Sequence, residues 1–138
     1  MNMMDIQAFL EYFHRTDALS REMGIHVRSL SAEGVEAEME ISEHEKNYMG
    51  MLHGGAFFTI ADVVAGLCVS YYGEQCVTLS SNLNYLKAAT SGKIIARSSL
   101  SRRGRKICVC EIRIVSEEEV LLCTGTFTMY MTGIPIKF

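Results

Sequence analysis

The stretch Asn47–Gly66 reads NYMGMLHGGAFFTIADVVAG, and the rest of the chain is interpreted around it. It sets His53, Gly54 and Gly55 directly before a long apolar run. A run that is apolar on all sides is typical of a helix enclosed by other structure. A single carboxylate, Asp62, interrupts this run. Because burying an unpaired carboxylate is costly, such a position is usually well paired or functional.

The segment from Gly54 to Tyr72 is nearly long enough and apolar enough to span a bilayer. Asp62 would then lie near the centre of the membrane, at a cost of roughly 2.5–3.5 kcal/mol. No Lys or Arg flanks orient the segment, and alternating strand patterns follow it. The sequence therefore predicts a helix wrapped by a sheet, and no membrane partner.

The composition predicts one globular domain that covers residues 1–138. Of the 138 residues, 49% are hydrophobic and 21% are charged, and a chain of this length can bury one core. Its net charge of -3 offers no general attraction for nucleic acid. We therefore expect neither a second domain nor a nucleic-acid partner.

The cysteines and the N-terminal residues predict a cytoplasmic protein. The chain has 5 cysteines, an odd number, in apolar segments without a Cys-x-x-Cys spacing, which is typical of reduced thiols. Residues 1–15 contain Asp5 and Glu11 and lack a basic start followed by a continuous apolar run. We therefore expect no secretory or transit signal.

Alternation of apolar and polar residues predicts a sheet around the apolar helix. GVEAEMEI, which begins at Gly34, alternates strictly and pairs as a hairpin with IHVRSL through the turn SAEG. After the helix, short breaks separate four strand-like runs, which predicts an antiparallel meander. The runs cover residues 75–87, 93–102, 106–116 and 120–131.

A second helix is predicted at the N-terminus, where Ile6, Phe9, Leu10 and Phe13 recur at helical spacing. It is expected to end before Gly24 and to pack on the outside of the sheet. The predicted fold is therefore of the α+β class, with one curved antiparallel sheet around one central helix.

The start of the central helix is suited to holding a developing anion. Helix N-termini expose unpaired N–H groups, and glycines such as Gly54 and Gly55 permit close approach. Asp62 lies eight residues beyond Gly54, which is about 12 Å along a helix, so the two cannot touch the same carbonyl. If they act together, Asp62 must come from another copy of the chain. The alternatives are a glycine pair that only serves a tight turn, and an aspartate held by a hydroxyl such as Thr59.

The segment N47-Y-M-G-M-L-H53-G54-G55, followed by Asp62, resembles the signature of the hotdog-fold acyl-CoA thioesterases of the phenylacetate-pathway type. The helix and strand order and the later turn SRRGRK also fit, so the similarity covers most of the chain. The resemblance implies a hotdog fold, hydrolysis of an aromatic or medium-chain acyl-CoA without cofactor or metal, and a homodimer or a dimer-of-dimers homotetramer.

The resemblance also implies roles for individual residues. Gly54, alone or together with Gly55, would form the oxyanion hole, and Asp62 of the opposing subunit would act as general base or nucleophile. Asn47 would hold the carbonyl or the water. His53 would orient Asn47 or approach the sulfur, the alternative being a histidine that only caps a turn. Thr78 would position the water, with Ser80, expected on the same face of the strand, as the alternative.

The turn SRRGRK is the one concentrated cationic site in an otherwise acidic chain. Guanidinium groups suit the phosphates of coenzyme A, and no aromatic residues are interleaved for stacking bases. The alternative is a solvated hairpin tip. The predicted coenzyme A contacts are Arg102, Arg103, Arg105 and Lys106.

The alternative function is a non-catalytic acyl-CoA-binding or sensing domain on the same fold. Asn47, His53 and Asp62 are all present, which favours the enzyme. Apolar side chains near the motif could line an acyl pocket, although such residues are more often core. These are Met49, Phe57, Phe58, Tyr71 and Tyr72.

Overall fold

The structure is a computed structural model and describes residues 4–138, so that residues 1–3 of the N-terminal stretch discussed above lie outside it. Within residues 4–138, three α-helices and six strands occur in chain order, together with a short 3-10 turn at Glu43–Glu45. The helices are α1 (Ile6–Thr16), α2 (Ala18–Met23) and α3 (Gly54–Ser70). The strands are β1 (His26–Ser31), β2 (Gly34–Glu40), β3 (Glu74–Tyr85), β4 (Lys93–Arg103), β5 (Ile107–Ser116) and β6 (Leu121–Pro135).

The six strands form one antiparallel sheet in the order β1-β2-β4-β5-β6-β3, and all of them contact α3. Ile60, Ala61, Val64 and Ala65 of α3 have no exposed surface. The near absence of polar residues on α3 follows from this enclosure, because a helix that meets a sheet on most of its circumference must be apolar there. The predicted arrangement of a sheet around one central helix is confirmed.

The predicted β1–β2 hairpin is confirmed, but the prediction of a four-strand meander is wrong for β3. The strands β4, β5 and β6 are neighbours in sequence and in space, whereas β3 pairs with β6 at the edge of the sheet. Residues 86–92 carry the chain across to β4, which pairs with β2. Leu52 N–H donates to Ala89 O and Ile41 N–H to Gly92 O along this crossover. A short loop therefore does not imply pairing of its flanking strands, because seven extended residues reach about 23 Å.

The N-terminal helix does not pack on the outer face of the sheet as predicted. Phe9 of α1 is buried in the core cluster, and Phe9 and Phe13 line a cleft together with residues of α3. The helix breaks at Asp17, and α2 follows. The other apolar residues of α1, Ile6, Leu10 and Phe13, pack against the same core cluster, and α1 contacts β1 and α2.

Strand β3 is a long and weakly charged edge strand. It has 12 residues, and Glu74 is its one charged side chain. Val77 and Leu79 are 52% and 54% exposed. Edge strands of soluble proteins are normally shortened, charged or covered, since their unpaired backbone groups are a template for another chain. The β3 edge thus has the properties of an association surface.

Candidate functional site

Asn47 stabilises the turn of a short hairpin that leads into α3. Lys46 and Leu52 form an isolated antiparallel bridge across this hairpin. The side-chain oxygen of Asn47 accepts hydrogen bonds from the N–H groups of Met49 at 2.9 Å and Met51 at 3.1 Å. The carboxamide oxygen is therefore occupied within the chain, and the amide NH2 is the part of Asn47 left to donate to another molecule.

His53 caps α3. Its backbone is extended, with φ -63° and ψ 139°, and its Nδ1 accepts the N–H of Gly55 at 2.9 Å. An accepting Nδ1 places the ring proton on Nε2, so Nε2–H points away as a donor. Within residues 4–138 no hydrogen bond joins His53 to Asn47. The role of His53 toward Asn47 or the thioester sulfur stays a prediction.

Gly54 and Gly55 differ in how their N–H groups are used. The N–H of Gly55 is taken by His53, whereas no acceptor among residues 4–138 takes the N–H of Gly54, the first residue of α3. The carbonyl of Gly54 accepts from the hydroxyl of Tyr85 at 3.2 Å. Tyr85 is 52% exposed, and the partial desolvation of its hydroxyl raises its pKa. A phenol is protonated at neutral pH and can donate. Tyr85 was not predicted from the sequence, because nothing in β3 indicates which of its residues reaches the helix start.

Asp62 is half-buried and is held by one side chain. The hydroxyl of Thr78 donates to its Oδ1 at 2.6 Å, and a charged acceptor makes this a strong hydrogen bond. A register shift between Thr78 and Ser80 breaks the alternation of β3, since Thr78 pairs with Met129 and Ser80 with Thr128 of β6. The prediction that Ser80 shares the face of Thr78 is therefore wrong, because adjacent residues of β6 point to opposite faces. The hydroxyl of Thr59 instead donates to Gly55 O at 2.8 Å.

Three separate clefts divide the predicted site residues. Asp62 lies in one of about 360 Å³. Asn47 and Gly54 line a second, of about 330 Å³. His53 and Gly55 line a third, of about 550 Å³, beside α2. A single chain therefore does not bring the carboxylate and the free N–H of Gly54 to one point.

The basic turn lies at the other end of the helix from Gly54. The guanidinium of Arg103 stacks 3.5 Å above the ring of Tyr72, just beyond the C-terminus of α3, and Lys106 Nζ lies 5.8 Å from the Tyr130 ring centroid. Arg102 and Arg105 are exposed. The edges of a stacked guanidinium remain free to donate to phosphate. Since α3 has 17 residues, this turn is about 25 Å from Gly54 of the same chain.

A family model described as the thioesterase superfamily matches residues 49–123, more than half of the chain. The chain belongs to the thioesterase superfamily. The matched residues include the site from His53 to Thr78 and the basic turn, while Asn47 lies just outside them. A 1,4-dihydroxy-2-naphthoyl-CoA hydrolase from Listeria monocytogenes is 29% identical over 114 residues, covering 80% of this chain and 93% of that enzyme.

Solved structures share the fold, among them that of a hypothetical thioesterase. A hypothetical thioesterase from Streptococcus pneumoniae, determined with coenzyme A, is 32% identical and covers 92% of this chain and 99% of its own, with a TM-score of 0.83. The PaaI protein of E. coli from the phenylacetic acid degradation operon is 20% identical and covers 92% and 93%, with a TM-score of 0.88. The predicted hotdog fold is confirmed, and this thioesterase superfamily member is a thioester hydrolase. Among the helices of residues 4–138, none has the length and hydropathy needed to cross a membrane.

Proposed function

We propose that the protein hydrolyses acyl-CoA thioesters at a site shared by two copies of the chain, with Asp62 from one copy and Gly54 from the other. Asp62 takes a proton from a water molecule, whose oxygen bonds to the thioester carbonyl carbon. The carbonyl oxygen becomes an oxyanion that accepts the N–H of Gly54 at the positive end of α3. Collapse of the intermediate breaks the C–S bond and releases the thiolate of coenzyme A. The same placement also suits direct attack by the carboxylate.

The observation that carries this proposal is the division of the site among separate clefts. Asp62 lies beside Thr78 of β3, and Gly54 lies beside Tyr85 of the same strand. In a two-fold antiparallel pairing of β3 with β3, opposed residues face the same side of the sheet, and their numbers have a constant sum wherever no residue is inserted. The register shift between Thr78 and Ser80 inserts Leu79. A two-fold axis at Asn82 therefore sets Ser80 opposite Asn84 and Thr78 opposite Tyr85 of the second copy. That pairing joins each Asp62 to the Gly54 of the other copy.

The weakly charged edge of β3 supports the same assembly, since it offers backbone donors and acceptors to a second strand. Antiparallel central helices bring the basic turn of one copy toward the Gly54 end of the other. Arg102, Arg103, Arg105 and Lys106 are thereby available for the phosphates of coenzyme A. The Asn47 amide and His53 Nε2–H lie on the Gly54 side and are available to the thioester.

The test is complementation between two inactive variants. Asp62→Asn removes the base, and Gly54→Pro removes the oxyanion donor. The two proteins are refolded together so that subunits mix. A mixed dimer then has one site with both lesions and one with neither, so random pairing should restore about a quarter of wild-type activity. Activity is read as release of free thiol from an acyl-CoA.

Separately refolded variants are the control and should stay inactive. Native mass spectrometry measures the fraction of mixed dimers. If mixed dimers form and no activity returns, the site lies within one chain and the proposal is wrong.

A further inference from the structure

We infer that Tyr85 is a positioning residue of the shared site, which holds the Gly54 N–H of its own copy in place relative to the Asp62 carboxylate of the other copy. This inference rests on the proposed function, since it takes Gly54 as the oxyanion donor and Asp62 as the base. Tyr85 transfers no proton to the substrate and acts through these two groups.

The side chain of Tyr85 is fixed within its own chain by two contacts. Its hydroxyl donates to Gly54 O at 3.2 Å. Its ring meets the buried ring of Phe57 edge to face, with the centroids 6.1 Å apart and an angle of 70° between the ring planes. This arrangement is favourable for aromatic pairs. Because Phe57 follows Gly54 by three residues in α3, both contacts join the end of β3 to the start of that helix.

The start of a helix is a part of the chain that needs such a restraint. The first N–H groups of a helix have no intrahelical partner, and helix ends fray. An oxyanion donor must nevertheless stay within about 0.5 Å of its productive position. The carbonyl that accepts from Tyr85 belongs to the same residue as the N–H that serves the oxyanion. The hydrogen bond therefore restrains that N–H through the backbone of a single residue.

The ring of Tyr85 also covers one side of Gly54. A Cβ at Gly54 would lie 3.5 Å from Cε1 and 3.6 Å from Cζ of this ring, so the ring lies directly beside the backbone of the glycine. An apolar ring keeps water from that side of the helix start. A hydrogen bond to a developing anion is stronger where water is excluded. The hydroxyl thus restrains the N–H of Gly54, and the ring shields it.

The exposed part of Tyr85 faces the other copy in the proposed assembly. Tyr85 pairs with Cys123 and Thr78 with Met129, and both partners are buried residues of β6, so the two side chains lie on the inner face of the sheet. In the two-fold pairing of β3, Tyr85 lies opposite Thr78 of the other copy, and opposed side chains have their Cβ atoms about 4.5–5.5 Å apart. Thr78 in turn donates to the Asp62 carboxylate at 2.6 Å. In this assembly, Tyr85 therefore contacts the oxyanion donor of its own copy and the residue that orients the base of the other.

The first test removes the hydroxyl alone. Tyr85→Phe keeps the ring and should lower kcat for an acyl-CoA by about 3- to 10-fold, the worth of one hydrogen bond. KM should change little, because the restrained N–H serves the oxyanion that forms in the transition state. In a Gly54→Pro background, Tyr85→Phe should have no further effect on kcat, since the N–H through which it acts is gone. Tyr12→Phe is the matched control on α1, where the ring packs against Phe138, and should leave kcat unchanged.

The second test uses mixed dimers to show which copy Tyr85 serves. Asp62→Asn and Tyr85→Phe copies with different affinity tags are refolded together, and the dimer that carries both tags is purified. Its one site with an intact base contains Gly54 and Tyr85 of the Asp62→Asn copy, so every group of that site is intact. The mixed dimer should therefore have about half of the wild-type kcat per dimer. If Tyr85 acted on Asp62 of its own chain, the value would instead be about half of that of Tyr85→Phe.

Several results would overturn the inference. They are an unchanged kcat in Tyr85→Phe, additive losses in the double variant, a mixed dimer at half the activity of Tyr85→Phe, or a loss of the dimer on size exclusion, which would make Tyr85 a contact between copies and no more. If the wild type hydrolyses no acyl-CoA, the proposed function fails, and hydrogen exchange then judges the restraint. Tyr85→Phe should speed amide exchange within residues 54–60, whereas Tyr12→Phe should not. An unchanged exchange rate in Tyr85→Phe would show that its hydroxyl does not order the helix start.

Discussion

The N–H of Gly54 can be deleted without disturbing the helix that carries it. Gly54 is the first residue of α3, where its N–H has no partner within residues 4–138. Proline is favoured at this position, because its fixed φ suits the helix and its missing N–H costs no internal hydrogen bond. The preceding residue must be extended, and His53 is, with ψ 139°. A Cβ at Gly54 would lie 3.5 Å from the Tyr85 ring, which is an ordinary contact.

Gly54→Pro should therefore fold like the wild type and lose activity. Removal of one oxyanion donor costs about 100- to 1,000-fold in kcat. Replacement of glycine by proline at a compatible site stabilises by about 0.4–1 kcal/mol, so the melting temperature should not fall. Gly54→Ala is the matched control, because it adds a Cβ and keeps the N–H.

The assay is single-substrate turnover of an acyl-CoA with free-thiol detection, alongside thermal melts of the three proteins. The result expected is a kcat of Gly54→Pro far below that of Gly54→Ala. Equal kcat values in the two variants, with both folded, would show that the N–H of Gly54 does not stabilise the oxyanion.

Three further predictions concern other residues. Thr78→Val should lower kcat by about 10- to 100-fold, because it removes the hydrogen bond of 2.6 Å to the Asp62 carboxylate. Thr78→Ser keeps the hydroxyl and should retain most activity. An equal loss in both variants would exclude a role for the hydroxyl. Reversal of Arg103 and Arg105 to Glu should raise KM for acyl-CoA and leave a truncated thioester without the nucleotide unaffected, since phosphate contacts are remote from the carbonyl. Burial, and secondarily the charge of nearby His26, lower the pKa of His14. Near this pKa the folded state therefore binds fewer protons than the unfolded state. The free energy of unfolding should fall as the pH drops below about 6.5, the ordinary pKa of histidine. Urea melts should show a smaller fall in His14→Gln.

Local patterns predicted the elements of this fold better than their pairing. The alternation in Gly34–Glu40 and the apolar run from Gly54 predict elements that the structure contains, because each pattern reports which faces of one segment are buried. The position of β3 is different. It depends on where residues 86–92 cross the sheet, and no single segment encodes that path.

For the candidate site too, local sequence patterns predicted some features and not others. Its residue types and their spacing along α3 could be read from Asn47–Gly66, since a helix converts sequence separation into distance. The hydrogen-bond partners of these residues could not be read from that stretch. Tyr85 donates to Gly54 O, and Nδ1 of His53 accepts the N–H of Gly55. These contacts depend on the path of the turn and of the crossover. The bulge beside Thr78 is likewise a property of the β3–β6 pairing.

Strand β3 connects association with catalysis. Its inner side supplies Thr78 to the Asp62 carboxylate, and its outer edge offers the unpaired backbone groups that a second copy would use. An edge strand paired on one side only is among the less protected parts of a sheet, because opening it breaks few backbone hydrogen bonds. Pairing with the β3 of another copy would remove that freedom and fix Thr78, and with it the direction of the carboxylate. The same pairing of strands would bring Gly54 of the other copy to the site. Because α3 holds Asp62 and Gly54 of one chain about 12 Å apart, the carboxylate and the N–H that it works with would both depend on this one interface.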